Sequence, residues 1–176
     1  MHNPFIDNTR RILAGVAPAQ VSAPADEGEV TLTLEEAIVL ALVARHIAAS
    51  DGLSQAESNA MRGLLEHHGV PEALHPAVMD ADLRGAADEH VSALVPARSA
   101  KALHLISGVS FIAARDGLSA EERGRVLRLA TALGIERPLV DALIAESEAA
   151  VLASVRGDAA MLTKLDRLRE ALFRLV

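Results

Sequence analysis

Two short stretches of the chain place carboxylates at one fixed spacing beside a glycine. Asp51-Gly52-Leu53-Ser54-Gln55-Ala56-Glu57 and Asp116-Gly117-Leu118-Ser119-Ala120-Glu121-Glu122 share the pattern Asp-Gly-Leu-Ser-x-x-Glu. Hard oxygen donors at a turn are the chemistry of Ca²⁺, Mg²⁺ or Mn²⁺. One turn offers too few of them for Ca²⁺, which takes about six to eight oxygens. Ile47 and Ala49 stand where an EF-hand loop would carry its first carboxylates, so neither hairpin encodes that site alone. A cation would have to draw Asp51, Glu57, Asp116 and Glu122 together from both turns, with Glu121 as a further donor. The same letters also spell a structural device. Ser54 and Ser119 can cap a helix while the Glu three residues on returns a bond to the cap's own N–H, and Asp51 can accept from nearby amides. Both readings are open at this point.

Histidine is the other donor in quantity, with seven in the chain. Glu72-Ala73-Leu74-His75 has the Glu-x-x-His spacing of di-iron bundles, but those need two such motifs and two further Glu, and this one is squeezed between Pro71 and Pro76. His46 and His68 fall at helical core positions and read as half-buried packing residues. No HExxH, P-loop or G-x-G-x-x-G pattern occurs. With no cysteine, disulfides, thiolate metal sites and cysteine nucleophiles are excluded. A histidine-based metalloenzyme is the last of the functional classes, and the expectation is a protein that is not an enzyme.

The elements that must position these groups are helices. Thr33 and the acidic Glu35 and Glu36 open one that runs through Ile38, Leu42 and Ile47, and Asp51-Gly52 ends it. Ser54 opens the next, which closes at Gly69, and Pro71 is placed to start a third through Leu74 and Val78. Ser99 starts a helix through Leu103, Ile106, Val109 and Ile112 that Asp116-Gly117 ends. Ser119 opens another that closes at Gly134, and Pro138 begins its successor. Asp158 caps a last helix with Leu162, Leu165, Leu168, Leu172 and Leu175 on one stripe. Residues 17–29 mix Pro, small and acidic residues without period and read as a linker, although Ile6 to Leu13 can form a short helix.

The two halves align at a constant offset of 65 residues. Eight of eleven positions are identical between Ile47–Glu57 and Ile112–Glu122, and the register continues through Leu64/Leu129, Gly69/Gly134 and Leu74/Leu139. An internal duplication of a three-helix unit follows. The expected fold is an all-α compact bundle of two pseudo-symmetric three-helix repeats plus a C-terminal helix. Its boundaries are a flexible segment and linker over 1–29, a helical domain over 30–157 with repeats at about 33–80 and 98–150, and a packing helix over 158–176.

Composition narrows the partners. Half the residues are hydrophobic (51%) but only 2% are aromatic, so Ala, Leu and Val must fill the core. A net charge of −7 with scattered Lys and Arg argues against a phosphate-binding face, and few rings are available to stack bases. No run approaches the length of a membrane span, and Met1 to Asp7 lacks a basic segment followed by an apolar one, so a cytoplasmic location is expected.

An Ala-rich helix ending in Asp-Gly, then an apolar residue, Ser, two free positions and Glu opening a second helix that closes at Gly, resembles the tellurite-resistance B (TerB-like) family over residues 30 to about 150. The resemblance implies a non-enzymatic helical bundle linked to tellurite resistance and stress response, acting beside protein partners. It also implies a divalent cation (Ca²⁺, Mg²⁺ or Mn²⁺) at the acidic turns, with Asp51, Glu57, Asp116 and Glu122 as ligands. In the family the turn carboxylates are usually seven residues apart, whereas here they are six. The competing expectation is a metal-free helical scaffold for protein–protein interaction.

Overall fold

The computed structural model describes residues 2–14, 16, 32–48 and 53–175, and among these it is all-helical. In chain order the helices are α1 (Pro4–Leu13), α2 (Leu34–Ala48), α3 (Gln55–His67), α4 (His75–Met79, entered through a 3₁₀ turn over Glu72–Leu74) and α5 (Asp88–Ser92). They continue with α6 (Ala100–Ala113), α7 (Ala120–Ala132), α8 (Arg137–Arg156) and α9 (Ala159–Phe173).

The centre belongs to α2 and α6, which are apolar on nearly every side. Ala37, Ala41 and Ala44 are buried beside Ile38, Leu42 and Ile47 in α2, as are Ala102, Leu103, Ile106, Val109 and Ile112 in α6. Small residues at a helix contact let the two axes approach. The pair pack on each other, and α3 and α7 each touch both of them.

Local chemistry sets the ends of these helices. Thr33 Oγ1 accepts from Glu36 N at 3.2 Å while Glu36 Oε2 accepts from Thr33 N at 2.8 Å, and Ser99 Oγ accepts from Ala102 N at 3.1 Å. At the other end of α3 and α7, Gly69 (φ 65°) and Gly134 (φ 70°) take the left-handed conformation that a side chain disfavours. Val70 N then reaches back to Leu65 O and Ile135 N to Ala130 O, each at 2.9 Å, satisfying carbonyls the helix leaves over.

The third segments differ between the halves. Pro71 leads a 3₁₀ turn rather than an α-helix, because Pro76 has no N–H to bond back to Glu72 and α4 starts only at His75. In the second half Pro138 lies in the first turn of α8, and nothing interrupts that helix before Gly157 at φ 66°.

At the N-terminus the short helix allowed over Ile6 to Leu13 is present as residues 4–13 and is docked rather than part of a flexible 1–29 segment, while 17–31 lie outside the described residues. Asn3 caps α1 and donates to His90 O at 2.9 Å, Asn8 donates to Asp82 O at 2.7 Å, and Phe5 is wholly buried edge-on to His46. In α9 only Leu165 of the leucine stripe is buried, against Ala150 and Ala153 of α8, while Leu168 and Leu175 are 46% and 72% exposed. The helix is held as much by Arg169, which donates to the buried Glu146 carboxylate at 2.9 Å. No helix among the described residues is long and apolar enough to cross a membrane.

Candidate functional site

The starts of α3 and α7 carry the same side-chain arrangement. Ser54 Oγ accepts from Glu57 N at 3.1 Å, and Glu57 Oε2 accepts from Ser54 N at 2.8 Å. At the start of α7 the corresponding distances are 3.2 Å for Ser119 and 2.8 Å for Glu122. Each carboxylate therefore spends one oxygen on its own cap.

The second oxygen of each is the notable group. Both glutamates are almost fully buried, at 1% and 2% exposure. Glu57 Oε1 and Glu122 Oε1 are buried with no hydrogen-bond partner. The two carboxyls lie within hydrogen-bonding reach of each other, so that a proton on either could bridge them. Burial pushes the Glu57 carboxyl up to about 7, and the neighbouring Asp116 charge and the facing Glu122 add to the shift against the lowering effect of the Ser54 bonds. Two like charges brought close together disfavour each other's ionised form. Such an arrangement could hold a shared proton or draw in a cation.

Not all of the expected donors join them. Asp116 is exposed on the rim, near enough to raise the proton affinity of Glu57. Glu121 turns away and pairs with Arg125 at 3.1 Å, while the same Arg125 donates to His46 O. Asp51 and its Gly52 lie outside the described residues. Among the described residues no three acidic or imidazole groups already form a cage for an ion. Two orphaned carboxylate oxygens nevertheless fit a hard cation, with Asp116, backbone carbonyls or water completing its shell.

The Glu-x-x-His spacing, already incomplete for a di-iron site, divides between surface and core. Glu72 is exposed, whereas His75 is buried with its Nε2 2.9 Å from Val70 O, so the Glu-x-x-His pair serves two unrelated purposes. His46 packs on Phe5 as a half-buried residue should. His68 has a role that its position did not announce, since its Nε2 stands 3.3 Å from that of His104, and Phe173 of α9 stands edge-on to His104. These side chains come from three helices far apart in sequence, and no local pattern connects them.

The juxtaposition of Glu57 and Glu122 also has a topological origin. They are 65 positions apart, and so are Glu36 and Lys101, which form an ion pair between the starts of α2 and α6. Contacts between positions related by the repeat offset are those a local twofold axis would produce. No family model, curated protein or solved structure matches this chain.

Proposed function

We propose that the chain is a TerB-like, non-enzymatic stress-response module in which the Glu57–Glu122 carboxyl pair binds a divalent cation, with Asp116 as a rim donor and Asp51, outside the described residues, as the remaining candidate ligand. The observation that carries this reading is that each of two neighbouring carboxyls, Glu57 and Glu122, buries an Oε1 with no hydrogen-bond partner. A pure capping device has no use for that arrangement. A capping glutamate can leave its second oxygen in water, and burying two such oxygens together costs free energy unless a proton or cation sits between them. Exchange of the shared proton for Ca²⁺, Mg²⁺ or Mn²⁺ would change the charge at the helix starts while the caps stay formed.

A metal-free interaction scaffold is the second reading, and the exposed Leu152, Val155, Met161 and Leu168 on α8 and α9 favour it. Calorimetric titration of the untagged protein with each ion separates the two. The cation reading expects binding that the double variant E57Q/E122Q loses while its helical circular dichroism is kept. No binding of any of the three ions at millimolar concentration would reject it and leave the scaffold.

A further inference from the structure

We infer that His68 and His104 form a second cation site, independent of the carboxylate pair and suited to a tetrahedral transition ion such as Zn²⁺. His68 follows the last turn of α3, and His104 lies in the first half of α6. Their Nε2 atoms are 3.3 Å apart, and the ring centres 5.1 Å. With Zn–N bonds of about 2.0–2.1 Å, two nitrogens on one tetrahedral zinc are separated by roughly 3.3 Å. An ion at that apex would place the ring centres about 5.2 Å apart, whereas a straight N–H···N bond of the observed length would place them at about 5.6 Å. Both observed distances therefore agree with rings inclined towards a common apex. Square-planar coordination, as Cu²⁺ prefers, would bring the nitrogens to about 2.8 Å, which makes zinc the better fit.

Both imidazoles are half-buried, so one side stays accessible. Burial, then the neighbouring histidines and, at His104 alone, Arg169 hold both rings well below their usual basicity, to about 4, so their lone pairs carry no proton at neutral pH. The same burial and positive charge work against a bound cation, which favours exchangeable over tight binding. Arg169 is a fixed positive charge close enough to act on His104, and Glu146 and Asp166 bind it at 2.9 and 3.1 Å. His67 flanks the pair, its ring 4.9 Å from that of His68. Two protein nitrogens leave positions for water, so the site would hold its ion in exchangeable form.

The test is a Zn²⁺ titration of the untagged full chain against a chromophoric chelator, with ¹⁵N spectra of the imidazoles recorded alongside. One equivalent should bind, the Nε2 resonances of His68 and His104 should shift together, and H68Q and H104Q should each weaken binding at least tenfold. The E57Q/E122Q variant should bind Zn²⁺ at this site as the wild type does, so loss of the carboxylate site leaves this result unchanged. Absence of Zn²⁺ binding at 0.1 mM or so, or binding that survives both histidine substitutions in folded protein, would overturn the proposal and leave a histidine–histidine hydrogen bond.

Discussion

With its carboxyl buried against that of Glu122, Glu57 keeps a proton to about pH 7 in the folded chain, whereas in the unfolded chain it releases it near the ordinary value of 4.5. Between those two values the folded state holds more protons, so this group's contribution to stability is full below about pH 4.5 and is lost as pH rises through 7. The loss is on the order of 3 kcal/mol. His68 and His104 act in the opposite sense, since their lowered basicity costs stability as pH falls from 6.5 towards 4. Comparison with E57Q removes the histidines from the account, because both proteins contain them. Gln keeps an oxygen for the Ser54 amide and can donate to Glu122, so in metal-free buffer the wild type should lose stability relative to E57Q between pH 5 and 7.5. Parallel denaturant midpoints across that range would show that the two carboxyls do not face each other in solution. The residues of this pair were legible in the sequence, but their orphaned oxygens were not, because spacing reports which groups share a helix turn and says nothing of what lies opposite.

At the scale of elements, the caps were the most readable feature. Ser-x-x-Glu specifies its own two hydrogen bonds within four residues, and both copies form them. Ser54→Ala and Ser119→Ala should each cost about 0.5–2 kcal/mol, read as a lowered urea midpoint with an unchanged slope. Mutants indistinguishable from wild type would mean that these bonds do not hold the helix starts. What the sequence left open depends on distant partners. The short helix over residues 4–13 has nothing local to show where it docks, yet Phe5 is wholly buried against α2, and Asn3 and Asn8 bond to carbonyls more than seventy positions away. Phe5→Ala should therefore destabilise the whole domain by about 3–5 kcal/mol, and a thermal midpoint within a degree or two of wild type would return that helix to the status of a tail. The leucine stripe of α9 is covered unevenly. A periodic pattern shows that an apolar face exists, not how much of it a neighbour covers: Leu165 lies against Ala150 and Ala153 of α8, while Leu168 is left in solvent.

Across the whole molecule, the offset of 65 residues ties the fold to the site. Repeat-equivalent positions meet at Glu57–Glu122 and at Glu36–Lys101, and the central contact of α2 with α6 runs between the same two halves. The two capped hairpins thereby bring their capping glutamates together as one pair, something neither hairpin achieves alone. The third segments did not stay alike, since Pro76 stops one while α8 runs on to Gly157, and the first half fills the difference with α4 and α5. Anomalous diffraction from crystals grown with Mn²⁺ shows whether the paired carboxyls bind a cation in place of a proton. A single peak is expected between Glu57 Oε1 and Glu122 Oε1, within about 2.0–2.6 Å of both, that disappears in E57Q/E122Q crystals. A map with no peak there, and the two carboxyls joined through a proton or turned to opposite faces, would contradict it.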